Sequence, residues 1–88
     1  VRESVIERAF VHRVEALGGE TRKVKWLDRN GAPDRVVLLP GGGLTWVELK
    51  APGGRLSRLQ VLEHERLRRL GQRVDVVWTL DAAENWRP

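Results

Sequence analysis

Eighty-eight residues, 41% hydrophobic and 32% charged, allow one globular domain with a small core and leave no room for a second. Sixteen basic against twelve acidic side chains give a net charge of +4, which admits a nucleic-acid partner but also describes a plain arginine-rich soluble protein. Without cysteine there is neither a disulfide framework nor a thiolate metal site, and no run approaches the ~20 apolar residues of a membrane span. The first residues are charged and carry no long apolar run, so no signal peptide is expected, and the composition fits an intracellular protein.

Residues 3–18 read as a helix, with Ile6, Ala9, Phe10, Val14 and Leu17 at three- and four-residue spacing and Gly18-Gly19 as its stop. Glu7 falls at the edge of that apolar stripe, about 20° from Val14 at 3.6 residues per turn. Glu3 lies one turn earlier on a similar azimuth. Residues 21–27 alternate in part and read as a strand that ends in the turn Asp28-Arg29-Asn30-Gly31.

Pro33 biases Ala32 to an extended conformation. Strands over 34–39 and 44–50 follow, joined by Pro40-Gly41-Gly42-Gly43 as a hairpin. A loop, Ala51-Pro52-Gly53-Gly54, leads to a helix that starts at Ser57, with Gln60 completing a capping-box pattern and Gly71 ending it. Leu59, Leu62, Leu67 and Leu70 mark its expected buried face. Residues 73–78 read as a last strand and 81–86 as a short terminal helix. The order α-β-β-β-α-β predicts a mixed α/β (α+β) sheet. Its first three strands form an antiparallel meander, and the last joins through a crossover, parallel to the one before it.

The chemistry concentrates in Asp34, Glu48 and Lys50. Side chains alternate along a strand, so Glu48 and Lys50 share a face. Asp34 joins them only if the hairpin has a three- or five-residue loop, which sets Asp34 opposite either Glu48 or Lys50. Two carboxylates and an ammonium near a core are costly unless they serve a divalent cation and a phosphate. An isolated Glu-x-Lys on a strand is more often an ordinary surface pair. The preceding Gly-x-Pro-Asp, at hairpin distance, tips the balance toward a site.

Arg55, Arg58, Arg66, Arg68 and Arg69 flank or ride the second long helix. They form either a phosphate track beside that site or a solvated face paired with Glu63 and Glu65. His12 and His64 have no second ligand at metal spacing and are expected at the surface or lining a dimer. Trp46 shares the face of Glu48. Trp26, Trp78 and Trp86 serve core or interface packing, or stack on unpaired bases.

Gly31-x-Pro33-Asp34, Glu48-x-Lys50 and Leu56-Ser57-x-x-Gln60 together resemble the PD-(D/E)XK nuclease superfamily. More narrowly they resemble the VRR-NUC family (virus-type replication-repair nucleases), whose compact standalone versions in phages and bacteria are similar in length and layout. The resemblance covers nearly the whole chain. It implies a restriction-endonuclease-like core over a single domain, 1–88, and a Mg²⁺- or Mn²⁺-dependent DNA endonuclease. The metal ligands it implies are Asp34, Glu48, the backbone carbonyl of Leu49 and, on the first helix, Glu7. Lys50 is then the catalytic lysine. Gln60 supports the site, caps its own helix, or does both.

The resemblance further implies branched DNA, such as four-way (Holliday) junctions or flaps, met in the cytoplasm of a bacterial or phage-infected cell. Symmetric cutting of a junction by so small a subunit calls for a homodimer. The competing readings are a non-catalytic nucleic-acid-binding module on the same fold and a sequence-preferring, restriction-like nuclease.

Overall fold

A computed structural model describes all residues, Val1–Pro88. Helix α1 (Glu3–Ala16) precedes strands β1 (Glu20–Lys23), β2 (Arg35–Leu38) and β3 (Leu44–Leu49). Helix α2 (Arg58–Arg69), strand β4 (Val74–Val77) and helix α3 (Leu80–Glu84) follow. The sheet order is β1-β2-β3-β4; the first three strands are antiparallel and β4 runs parallel to β3. This is the mixed sheet that the element order predicts.

The hairpin has the required loop. Arg35 pairs with Val47 and Leu38 with Leu44, while the Leu39 N–H donates to the Gly43 carbonyl at 2.8 Å. Gly41 and Gly42 sit at φ 86° and 91°, a left-handed turn that side-chain-bearing residues resist. Continued by one residue, the register sets Asp34 opposite Glu48, one of the two pairings that bring the acids to one face.

The sheet therefore has two unlike faces. Val37, Val47, Leu49 and Val77 meet Ile6, Phe10 and Val14 of α1, with Ala83 and Trp86, in one apolar core. Phe10 and Trp86 pack edge to face, ring centroids 5.4 Å apart, and the Trp86 indole N–H donates to Asp75 at 2.8 Å. Trp86 is thus a core residue. The opposite face carries Trp46 and Glu48 and is covered by α2.

Three expectations change. The first strand, expected over 21–27, stops at Lys23, although the Val24 N–H still reaches the Asp34 carbonyl at 2.8 Å. Beyond it Trp26 folds onto Trp46, centroids 5.1 Å apart, and its indole N–H donates to the Pro33 carbonyl at 2.8 Å, which draws the chain off the strand path. Second, α2 does not bury the leucine stripe. Leu59, Leu62 and Leu70 are 54%, 46% and 65% exposed, and His64 and Leu67 are the buried residues. The sheet face beneath α2 is polar at Glu48, so the helix turns a mixed stripe of His64 and Leu67 inward and leaves Leu59, Leu62 and Leu70 outside. Third, the terminal helix spans Leu80–Glu84 and is capped by Thr79, whose hydroxyl accepts from the Ala82 N–H at 3.0 Å; Asp81 lies in its first turn.

Gly31 shows why the turn before Pro33 needs a glycine. A Cβ there would stand 2.6 Å from the backbone of Leu59, and its φ is +85°. The β1–β2 connection is thereby seated directly on the first turn of α2. Gly31→Ala should cost about 2 kcal/mol or more, from the left-handed conformation and the backbone clash together. The denaturant midpoint measures this, and a midpoint equal to wild type would show that α2 is not seated there.

Candidate active site

Strand β3 is buried on both sides. Val47 and Leu49 enter the core, and Glu48 between them projects to the other face, only 5% exposed. Burial, followed by the negative charge of Asp34, pushes the Glu48 carboxyl up to about 7; Lys50 pulls the other way and Glu3 adds a smaller push. Asp34, Glu48 and Lys50 thus share one electrostatic environment, at the carboxyl end of β3 and the amino end of β2. Lys50 is held there by its N–H, which donates to the Val77 carbonyl at 2.9 Å.

The donor set fits a hard divalent cation. Oε1 of Glu48 is buried without a hydrogen-bond partner in the chain, and a buried carboxylate with a carboxylate neighbour is relieved by positive charge. No three Asp, Glu, His or Cys side chains are gathered as a ligand cluster. The fit therefore rests on two carboxylates, and Mg²⁺ commonly takes one or two carboxylates and completes its shell with water and phosphate.

The first turns of α1 reach the same corner. A cleft of about 180 Å³ is lined by Glu3, Ser4, Glu7, Lys23, Asp34, Arg35 and Leu49. Broader, open hollows of about 510 Å³ along α1 and 550 Å³ beside Trp26 and Trp46 contain none of Asp34, Glu48 and Lys50. Glu7 lies in the cleft wall, but its carboxylate bonds the guanidinium of Arg35, which is 5% exposed, and stands 3.5 Å from the Lys23 ammonium. Arg35 also donates to the Thr21 hydroxyl at 3.2 Å. Glu3, one helical turn earlier, is exposed and makes no ion pair.

On the α2 side, Ser57 and Gln60 form a full capping box. The Gln60 N–H donates to the Ser57 hydroxyl at 3.1 Å, and the Ser57 N–H to the Gln60 side-chain oxygen at 2.8 Å. The amide oxygen of Gln60 is committed to its own helix. His12 is exposed as expected, but His64 is not: it is 1% exposed, and its Nε2 lies 3.6 Å from Oε1 of Glu48. Burial, then Arg68 and Lys50, lower the proton affinity of His64, so the pair is a neutral imidazole beside a carboxyl rather than an ion pair.

Of the arginines, Arg55, Arg58 and Arg69 are exposed, Arg66 stands 3.9 Å from Glu63, and Arg68 donates to the Val74 carbonyl at 2.8 Å. Glu63 also pairs with Arg29 at 3.4 Å. Arg35 and His64 are the polar contacts that residue patterns alone do not single out. The first follows Pro-Asp directly; the second sits four residues after Gln60, on the same helical face.

No protein-family model matches the chain. It is 42% identical over 81 residues to a phage protein, "Putative nuclease p44" of Acyrthosiphon pisum secondary endosymbiont phage 1, across 92% of this chain and 87% of that protein. Among solved structures, a VRR_NUC domain superposes with a TM-score of 0.86 at 36% identity, over 97% of both chains.

Two stability measurements check this geometry. Because Glu48 titrates near 7 in the folded chain and at about 4.5 when its environment is removed, the unfolded chain releases the proton first as pH rises. Stability from this group is complete below 4.5, declines by about 3 kcal/mol up to 7 and is level above that. Glu48→Gln removes the titration, so without divalent metal its Tm should exceed wild type by several degrees at pH 8 and nearly match it at pH 5. Equal differences at both pH values would contradict the burial argument. Separately, Glu7→Ala leaves the buried Arg35 uncompensated and should cost about 2 kcal/mol, allowing for the exposed third of Glu7. Glu3→Ala should leave Tm unchanged, and equal losses in the two variants would contradict the Arg35 contact.

Proposed function

The chain belongs to the VRR-NUC family of nucleases, and from that premise we propose that it is a Mg²⁺- or Mn²⁺-dependent endonuclease that hydrolyses phosphodiester bonds in branched DNA. One observation carries the reading: a buried Glu48 carboxyl, 5% exposed, whose charge is disfavoured by burial and by Asp34, set beside Asp34 and Lys50. A module that only bound nucleic acid would gain nothing from that destabilising arrangement.

The carboxylates of Asp34 and Glu48 and the Leu49 carbonyl would hold the cation, with an acid of the first α1 turns, Glu7 or Glu3, at the rim. A bound Mg²⁺ or Mn²⁺ supplies Lewis-acid polarisation of the phosphodiester and a more acidic water. Lys50 orients the attacking water and sets its ammonium against the negative charge that builds on the phosphoryl oxygens. The sheet beneath keeps Lys50 and Glu48 in register, so the alignment requires no rearrangement. Gln60 anchors the start of α2 over the site through its capping box.

Arg55 and Arg58, exposed on the loop and first turn after Lys50, and Arg66 and Arg69 further along α2, contact DNA phosphates. The outward stripe of Leu59, Leu62 and Leu70 supports a homodimer, because a self-complementary apolar helix face suits a two-fold contact. Two subunits then present two sites to a symmetric junction. Such an enzyme works where replication and recombination intermediates form, in the cytoplasm of a bacterial or phage-infected cell.

The test is cleavage of labelled four-way junctions, flaps and linear duplexes in Mg²⁺ or Mn²⁺. Wild type should cut branched DNA, and Glu48→Ala and Lys50→Ala should each lose about 10²-fold or more. Sedimentation of the same samples should give twice the 10.0 kDa of one chain. Absence of metal-dependent cutting on every substrate would favour a binding module. Cutting of linear duplex at fixed positions would favour a restriction-like enzyme, and a monomer on DNA would remove the dimer.

A further inference from the structure

Only three buried side-chain polar atoms lack a hydrogen-bond partner in the chain: Oε1 of Glu48 and both ring nitrogens of His64. Two of the three, Oε1 and Nε2, face each other at 3.6 Å. That separation exceeds a hydrogen bond by a few tenths of an ångström, well within the reach of a small side-chain rotation. A buried imidazole with no partner costs free energy that a leucine or phenylalanine in the same place would not. Its position on the inward stripe of an otherwise leucine-rich helix therefore calls for a polar task.

We propose that His64 is a positioning residue for Glu48. Its Nε2–H donates to Oε1, fixing the carboxylate plane so that Oε2 is presented to the cation. This rests on the reading that Asp34 and Glu48 hold a divalent metal, and it adds a contact from α2 that orients one ligand from behind. Such outer contacts hold a ligand in its binding rotamer and raise its affinity for the ion.

Three features of the fold support the arrangement. The capping box and the seat of Gly31 on the Leu59 backbone fix the height of α2 above the sheet, and with it the approach of His64 to Glu48. The charged groups around the ring are Arg68, Lys50 and Glu63. The two cations and burial keep the imidazole neutral, the form in which one ring nitrogen donates and the other accepts. Finally, Oε1 is the fully buried oxygen of Glu48, so a partner for it has to come from the protein interior.

The experiment is a calorimetric Mn²⁺ titration of the full chain at pH 8, with Tm measured on the same metal-free samples. His64→Phe and His64→Leu keep an apolar fill but remove the donor, whereas His64→Gln restores an N–H near the Nε2 position. The apolar variants should keep or raise Tm and weaken Mn²⁺ binding about tenfold or more. His64→Gln should recover most of the affinity. Wild-type affinity in the apolar variants would overturn the proposal, as would parallel loss of Tm and affinity in all three. A wild-type chain that binds no Mn²⁺ would overturn the metal reading and this proposal together, while wild-type binding unaffected by His64 would overturn this one alone.

Discussion

Burying the Glu48 carboxyl is possible only because its neighbours along the strand are anchored on the opposite side. Val47 is fully buried and Leu49 nearly so, both in the core against α1. Burying two such side chains stabilises the fold by about 3–6 kcal/mol, the same order as the roughly 3 kcal/mol that the raised Glu48 pKa costs above neutral pH. A one-residue slip of β3 would exchange the faces, placing Glu48 in the apolar core and the two apolar side chains under α2. The packing that makes the domain fold is therefore also what forces a carboxylate into a dry corner. The turn at Gly41 and Gly42 sets the register on which both depend.

This division of labour explains the unequal helices. Helix α1 and the terminal Trp86 seal one face with apolar contacts, and Arg35 and Glu7 pair with each other at its edge. Helix α2 covers a face that carries Glu48, so it turns His64 and Leu67 inward and leaves leucines in solvent. It is held by polar and close-packed devices at its ends. The capping box and Gly31 act at the start, and the Arg68 bond to the Val74 carbonyl acts near the end. The stability given up at the site and the apolar surface left on α2 are what the proposed metal and the proposed second copy would offset.

Much of this was legible in residue order. Alternation along 44–50 was enough to put Glu48 and Lys50 on one face, whereas Asp34 joined them only on the condition of a three- or five-residue hairpin loop, which the register meets. The element order determined the sheet because short connections leave an antiparallel meander and one crossover. The inward face of α2 was not legible. Periodicity locates an apolar stripe but not the surface it meets, and here that surface carries a buried carboxyl, Glu48, among valines. His64 was misplaced for the same reason, since nothing near it in sequence reveals that a carboxylate on another element lies opposite. The Arg35–Glu7 contact was hidden too, because it depends on how far α1 leans over the sheet edge. That is a tertiary quantity, and it leaves Glu7 a supporting partner of Arg35 as well as a wall of the cleft.

The central claim is that the corner formed by Asp34, Glu48 and the Leu49 carbonyl holds a divalent cation. An anomalous-difference map from crystals of the protein soaked in Mn²⁺ tests it most directly. The account predicts a peak bounded by those three groups, lost in Glu48→Gln crystals that are otherwise unchanged. A Mn²⁺ peak elsewhere, or none in a soak that leaves this corner accessible, would contradict it.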